Sequence, residues 1–198
     1  EYIAYIDDQS LKECITSSLE DYCNLLFPLE KKLRRGWVHN DFNDYNILIN
    51  PNLSESYNFG VIDFGDMTHS YLVADPAVAC AYLMLDKTDP LDAAFNFIEG
   101  FNSYLLLEAS EIEILFPMIL MRLCLSLTIG AFQQKKNPEN KYLGISQKPV
   151  RELLFKLQKV NYRYAHYLFR DACKMGACIQ ESEFRNWQKK AKNTFNNI

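Results

Sequence analysis

The chain has 198 residues, of which 48% are hydrophobic and 23% are charged, so its composition is that of an ordinary globular domain or a large lobe of one. The formal net charge of -4 argues against a nucleic-acid-binding protein, because a surface that binds phosphates is basic. An acidic protein of this kind is better suited to a small cationic substrate.

The first third of the chain is predicted to contain one long helix and then a short β-rich region. Ser10 is placed to cap the helix, since leucine, isoleucine and tyrosine recur at helical spacing after it. The segment 51–58 is rich in proline, asparagine and serine, which predicts a turn between two short strands. The predicted elements are a helix over 10–34, a polar loop over 39–46, and strands over 47–49 and 59–62.

The chain after Asp63 is predicted to be wholly helical, which makes the fold class α+β and mostly helical. The pairs Asp75-Pro76 and Asp89-Pro90 each combine an N-cap residue with a first-turn proline. Ser110 opens a capping box, and its helix is expected to kink or restart at Pro117. The predicted helices run over 75–85, 89–107, 110–135, 146–173 and 181–194.

The six cysteines carry no metal or redox pattern. None forms a C-x-x-C pair, and no histidine lies at zinc-ligand spacing from any of them. Most fall in apolar, helix-like segments, so free thiols in a reducing compartment are expected. The most apolar stretch, 116–132, is interrupted by Arg122 and is expected to be a core helix, so the sequence favours a cytoplasmic location without a membrane partner.

Two short motifs carry the chemistry. His39, Asp41 and Asn46 form the string H-x-D-x-x-x-x-N before the first predicted strand, and Asp63 begins the string D-F-G after the second. Because the two strands pair as a hairpin, the loop and Asp63 are expected at the same end. Phosphoryl transfer requires a carboxylate that orients a hydroxyl and takes its proton, together with oxygen ligands for Mg²⁺. The two motifs in this order therefore indicate a phosphotransferase.

These motifs resemble those of the aminoglycoside phosphotransferase and choline kinase superfamily, which is related to the protein kinases. The resemblance covers nearly the whole chain and implies the C-terminal lobe of a protein-kinase-like fold, with the active site on the short β-ribbon. It implies that Asp41 is the catalytic base in a loop held by His39. It also implies that Asn46 and Asp63 bind Mg²⁺ and, through it, the donor nucleotide, GTP or ATP. The superfamily often has glycine where this chain has Asn40.

The spacing after D-F-G argues against a protein kinase. A peptide-docking activation segment with an A-P-E motif should follow, but the next helix is predicted about ten residues after Gly65. A small-molecule acceptor is therefore favoured.

Segments inside and outside the catalytic motifs resemble one group within the superfamily, the hydroxylysine kinases. The resemblance implies GTP-dependent phosphorylation of 5-hydroxylysine. Homoserine, choline, a sugar or an aminoglycoside stay open as acceptors, and so does a non-catalytic kinase-like binding module. The segments are NDYNIL at 43–48, GVIDFGDM at 60–67, RLCLSL at 122–127, NPENKYL at 137–143 and FRDAC at 169–173.

A complete kinase of this kind also needs an N-terminal lobe with a glycine-rich loop and a lysine paired with a glutamate. No glycine-rich loop occurs in the sequence, so the chain is expected to lack that lobe and to be inactive alone.

Four further charged residues have two readings each. For Arg122, an internal carboxylate partner is favoured over a substrate carboxylate, because a buried charge needs a partner. For Asp75, capping of its helix is favoured over a hydrogen bond to the catalytic loop. Asp44 is read as an acceptor contact or a solvated side chain. Asp66 is read as a contact to a second metal or substrate ammonium, or as a turn cap.

Overall fold

The computed structural model describes residues 2–49, 59–139 and 141–176. The described chain consists of six α-helices and two short antiparallel β-ribbons, which confirms the α+β, mostly helical fold class. The predicted turn over 51–58 and the predicted helix over 181–194 lie outside the described residues.

One long helix is followed by all four strands, and the remaining described elements are helices. Short 3₁₀ turns precede or follow several of them. The helices are α1 (Gln9–Leu29), α2 (Ala74–Leu83), α3 (Pro90–Tyr104), α4 (Ala109–Lys136), α5 (Lys141–Leu157) and α6 (Tyr162–Ala172), and the strands are β1 (Arg35–Val38), β2 (Ile47–Ile49), β3 (Phe59–Val61) and β4 (Thr68–Tyr71).

The hairpin of β2 and β3 has the predicted strands, paired in the register Ile47 to Val61. The expectation that only helices follow Asp63 was wrong, because β4 pairs with β1 in a second ribbon in which Val38 lies opposite Thr68. The sequence Thr-His-Ser-Tyr of β4 is short and polar. Its partner strand β1 precedes the β2–β3 hairpin in the sequence, whereas β4 follows it. A local apolar pattern therefore could not reveal it.

Several helix starts lie one or two residues from the predicted ones. Asp8 caps α1 by accepting a hydrogen bond from the backbone N–H of Leu11 at 2.8 Å, so Ser10 is not the cap. The long helix that was predicted to end at residue 34 ends at Leu29. The capping box of α4 is formed by Glu108 and Glu111 and not by a box beginning at Ser110. At both helix starts a carboxylate just upstream of the predicted cap reaches the free N–H groups first.

α4 is the central helix of the core and packs against α1, α2, α5 and α6. A kink or restart was predicted at Pro117; the helix does not restart there, and Pro117 itself is buried. By length and composition α4 could cross a membrane, but most of its apolar stretch is buried against the other helices. This burial agrees with the predicted core helix.

The predicted single helix over 146–173 is two helices. The first, α5, begins at Lys141 and ends at Leu157, and the second begins after Asn161. Asn161 accepts a hydrogen bond from the backbone N–H of Arg163 at 2.9 Å, so it acts as the N-cap of α6. The break lets α5 and α6 pack on different neighbours, because α6 contacts α3 and α4.

The described cysteines are free thiols, as predicted. Burial raises the pKa of the Cys124 thiol to about 12 and that of Cys173 to about 11. Burial also raises the pKa of Cys80 far above its ordinary value. These side chains therefore serve as small apolar core residues, since the thiol and not the thiolate is the form they hold.

Candidate active site

The β2–β3 hairpin brings the two motifs together. Ile62 donates its backbone N–H to the carbonyl oxygen of Asn46 at 3.0 Å, so Asn46 and Ile62 lie opposite each other at one end of the ribbon. Asp63 follows directly after Ile62. The predicted meeting of Asn46 and Asp63 at the same end of the hairpin therefore agrees with the backbone pairing.

The Asp41 carboxylate is held by two side-chain amides of its own loop. Its Oδ2 accepts hydrogen bonds from Nδ2 of Asn43 and Nδ2 of Asn46, both at 3.1 Å. The same two amides also donate to the backbone oxygen of Asp41, at 3.2 and 2.8 Å. Asn43 was not predicted as a site residue; its own Oδ1 accepts the backbone N–H of Tyr45 at 2.9 Å, which is an Asx turn. The loop thus fixes Asp41 before any ligand binds.

His39 is buried beneath the loop. Its Nε2 lies 2.9 Å from the carbonyl oxygen of Ile62, and because that oxygen can only accept, Nε2 is the donor. The ring also packs against Phe42 and Phe64, with ring centroids 5.8 and 5.0 Å away. His39 therefore joins the H-x-D loop to the strand that leads to Asp63, which is the supporting position predicted for it.

Asp75 holds the other side of the catalytic loop. Its carboxylate oxygens accept the backbone N–H groups of His39 and Asn40, at 3.0 and 2.9 Å. The favoured prediction that Asp75 caps its helix was wrong, because α2 begins at Ala74, after Val73. Asn40 has a φ of 63°. Asparagine tolerates this left-handed conformation better than most residues, which explains how it can stand where the superfamily often has glycine.

Asn46 and Asp63 supply oxygen donors of the kind that a hard cation binds. The Asn46 amide nitrogen is turned toward Asp41, so its carbonyl oxygen points away from that carboxylate. Asp63 also has a left-handed backbone, with a φ of 62°. A Cβ at Gly65 would lie 3.4 Å from Oδ1 of Asp63, so the glycine leaves that oxygen uncovered. An amide oxygen and a carboxylate are ligands that suit Mg²⁺, which is commonly held by one or two protein groups and by substrate phosphates.

Arg122 reaches the catalytic loop from the middle of α4. Its Nη2 donates to Oδ1 of Asp41 and, at 2.6 Å, to the hydroxyl of Tyr82. The guanidinium carbon also lies 5.1 Å from the centre of the Tyr82 ring. The prediction of an internal carboxylate partner is confirmed, but the partner is the candidate catalytic base. Tyr82 was not predicted, because nothing in its local sequence distinguishes it from a core residue of α2.

A cavity of about 750 Å³ lies beside the catalytic loop. Asn43, which contacts Asp41, and Tyr82, which contacts Arg122, both line it, so the cavity borders the residues that hold that carboxylate. Its charged lining residues are Asp44, Asp86 and Lys87. The predicted acceptor contact at Asp44 thus lies on a cavity wall, whereas Asp66 does not.

The comparison with known families agrees with this geometry. Residues 4–106, just over half of the chain, match the Phosphotransferase enzyme family, also called APH. The chain therefore belongs to the phosphotransferase enzyme family, and the superfamily resemblance of the two motifs is confirmed.

The curated proteins to which the chain is similar are hydroxylysine kinases, a narrower group than the family. The chain is 30% identical to hydroxylysine kinase of Danio rerio over 156 residues, which are 77% of this chain and 44% of that protein. It is 36% identical to hydroxylysine kinase of Mus musculus over 116 residues, 56% of this chain and 31% of that protein. For the Xenopus laevis hydroxylysine kinase the identity is 29% over 154 residues, 74% and 41% of the two chains. The chain thus spans less than half the length of these relatives. No solved structure matches it significantly.

Proposed function

We propose that the chain is the C-terminal lobe of a kinase that transfers the γ-phosphate of GTP or ATP to a hydroxyl of a small amino-containing acceptor, with 5-hydroxylysine as the acceptor. The observation that carries the proposal is the placement of Asp41, Asn46 and Asp63 around one end of the β2–β3 hairpin. Family membership supports the reaction type, and the names of the relatives support the acceptor.

In the proposed reaction each motif residue has one task. Asp41 orients the acceptor hydroxyl and accepts its proton as the oxygen bonds to the γ-phosphorus. The bond from that phosphorus to the bridging oxygen breaks at the same centre, and the nucleoside diphosphate leaves. Asn46 and Asp63 would hold Mg²⁺, and the bound ion would neutralise charge on the phosphates. Positioning of this kind supplies most of the catalysis in phosphoryl transfer, so the rigid loop held by His39 and Asp75 suits the task.

The cavity beside the loop supports an amino acid acceptor. At neutral pH hydroxylysine carries two ammonium groups and one carboxylate. The charged lining residues Asp44, Asp86 and Lys87 are two carboxylates and one ammonium, the complementary set. Choline has one quaternary ammonium group and no carboxylate, so it offers no negative charge to pair with the Lys87 ammonium. This complementarity favours hydroxylysine over choline within the superfamily.

The remaining part of the nucleotide site is proposed to come from an N-terminal lobe of the same protein. The family reaction needs donors above the phosphates, and no glycine-rich loop occurs in these 198 residues. A non-catalytic kinase-like module is the alternative, and it would bind ligands in the same cavity without turnover.

The test is phosphate transfer by the full-length protein that contains this chain. ATP and GTP are each offered with hydroxylysine, homoserine, choline and an aminoglycoside, and lysine serves as the acceptor that lacks the hydroxyl. We expect transfer to hydroxylysine and none to lysine. Asp41→Asn should lower the rate by roughly two to four orders of magnitude, because the general base is lost. Asp21→Asn, on the exposed face of α1, is the matched control. Near-normal turnover in Asp41→Asn contradicts the assignment.

A further inference from the structure

The Asp41 carboxylate has a limited number of positions at which it can accept hydrogen bonds. An ionised carboxylate offers about four lone-pair positions. Within the described residues Asn43 and Asn46 occupy Oδ2, and Arg122 occupies one position on Oδ1. The position left for an acceptor hydroxyl is therefore on Oδ1, next to the guanidinium of Arg122.

Arg122 is itself held in a fixed orientation. Its side chain is 17% exposed, and it bonds Asp41 and Tyr82 through the same nitrogen, Nη2. The Tyr82 ring lies against the guanidinium, and the other terminal nitrogen reaches the backbone oxygen of Asn40 at 3.5 Å. An arginine with a ring on its face and two partners on one nitrogen has little rotational freedom left.

The same contacts leave no open edge for a substrate carboxylate. Bidentate binding of a carboxylate uses two N–H groups of one guanidinium edge. Nε of Arg122 is buried and has no hydrogen-bond partner among the described residues, so a free ligand does not reach the edge that contains it. Nη2 is already occupied by Asp41 and Tyr82. Arg122 therefore acts on Asp41 and not on the acceptor directly.

We propose that Arg122, held by Tyr82, is a positioning residue that fixes the Asp41 carboxylate so that its Oδ1 faces the acceptor hydroxyl. The inference rests on the proposed function, because it assumes that Asp41 is the base. The contact between Tyr82 and Arg122 connects the cavity to the base, since Tyr82 lines the cavity and Arg122 contacts Asp41. Filling of the cavity is thereby coupled to the orientation of Asp41.

A positioning role has a kinetic signature of its own. Removal of an interaction that only orients the base lowers kcat and leaves the KM for the acceptor unchanged. In the full-length protein, Arg122→Ala should lower kcat by about 10²-fold with the acceptor KM within about twofold of the parent. Added guanidinium ion should restore part of the lost kcat, because it can occupy the vacated place between Asp41 and Tyr82. Arg122→Lys, which keeps the charge but not the fork, should lose about tenfold.

Arg151→Ala is the matched control. Arg151 also pairs with an aspartate, Asp8 at 2.5 Å, and also lies over a ring, Phe155 at 5.5 Å, but it contacts neither Asp41 nor Tyr82 and does not line the cavity. We expect its kcat to be unchanged and its activity to be indifferent to guanidinium. Thermal melting of every variant identifies a loss of fold, and if Arg122→Ala does not fold, Arg122→Lys decides the question.

Tyr82→Phe gives a second measurement, because it removes only the hydroxyl. Its effect on kcat should be several-fold in the parent and absent in the Arg122→Lys background, as expected for two residues that act through one contact. The proposal is overturned by a raised acceptor KM at unchanged kcat in Arg122→Lys, by unchanged kinetics, or by additive effects of the two substitutions. Failure of the proposed function is distinguishable, since the parent protein itself would then transfer no phosphate.

Discussion

At the scale of single residues, two left-handed residues flank the candidate site. Asn40 and Asp63 have φ values of 63° and 62°, a conformation that costs non-glycine residues of order 1–3 kcal/mol. At Asn40 the surrounding contacts that hold the conformation are visible, since the Asp75 carboxylate accepts the backbone N–H groups of His39 and of Asn40 itself. The strain is thus maintained at the loop that carries Asp41, as expected where geometry matters more than local stability.

Asp63→Ala removes the carboxylate proposed to bind Mg²⁺. In the full-length protein we expect the affinity for Mg²⁺-nucleotide to fall by at least tenfold, while the affinity for the acceptor changes little, because the cation links the protein to the phosphates. Calorimetric titration of each ligand into the parent, Asp63→Ala and the remote control Asp21→Ala measures this. Equal nucleotide affinities in all three proteins rule out the metal role of Asp63.

Asp75→Ala removes both acceptors for the backbone of His39 and Asn40. Two part-buried N–H groups then lack partners, so we expect the free energy of unfolding to fall by about 1–3 kcal/mol. The amide hydrogens of His39 and Asn40 should exchange faster, and kcat should fall because the loop loses its support. Hydrogen exchange resolved by residue is the decisive measurement. Unchanged exchange at these two amides would show that the loop does not depend on Asp75.

At the scale of secondary-structure elements, the sequence predicted what local patterns determine. The β2–β3 hairpin is bounded by turn residues and apolar runs, and the α3 helix has Asp89 as its cap, as predicted. Long-range pairing was not predictable in this way, since β4 depends on β1 for its existence. The division of the helix predicted from Ser146 was also missed, because Asn161 resembles an ordinary surface residue until its partner N–H groups are seen.

The entry of α4 into the core depends on a buried ion pair. Glu111 is 0% exposed, and Arg34 donates to it from Nε at 2.9 Å and from Nη2 at 2.6 Å. These hydrogen bonds raise the pKa of Arg34, so its guanidinium stays charged at any physiological pH. Glu111 also accepts the backbone N–H of Glu108 in the capping box, which links the ion pair to the start of the helix.

Arg34→Met should lower the free energy of unfolding by about 3–5 kcal/mol, because it leaves the Glu111 charge buried without its partner. Arg35→Met is the matched control. Arg35 is exposed, and its ion pair with Glu30 is long, at 3.9 Å, so its removal should cost less than about 1 kcal/mol. Urea denaturation of both variants gives the comparison. A similar small loss in both would mean that the Arg34–Glu111 pair does not stabilise the start of α4.

At the scale of the whole molecule, the candidate site was predictable only in part. The motif residues Asp41, Asn46 and Asp63 follow one another within a short stretch, so their meeting could be expected from a single hairpin. Arg122 is 81 residues from Asp41, and only the packing of α4 against α2 places it there. The need of a buried charge for a partner was evident from the sequence, whereas the identity of that partner required the fold.

The two ribbons and the 3₁₀ turn that follows Asp63 expose several large apolar side chains close together in the sequence. Such side chains are costly in water and mark surfaces that another part of the protein covers. This exposure supports the proposal that an N-terminal lobe packs against the ribbons. The exposed fractions are 70% for Trp37, 53% for Leu48, 70% for Ile49 and 66% for Phe59 on the strands, and 53% for Phe64 in the 3₁₀ turn.

The 198-residue chain alone should therefore fold, show no kinase turnover and self-associate through the ribbons. Turnover should be absent because the donors that a glycine-rich loop and a lysine give the phosphates are needed to stabilise charge in the transition state. Sedimentation at increasing concentration should reveal association, which the pair Ile49→Ser and Phe59→Ser, cross-strand neighbours on the hairpin, should weaken. Phe27→Ser on α1, where the ring is 74% exposed, is the matched control and should leave association unchanged. Transfer of phosphate to hydroxylysine above the level of an Asp41→Asn blank would show that these residues contain the whole nucleotide site, and the N-terminal lobe would then be unnecessary for catalysis.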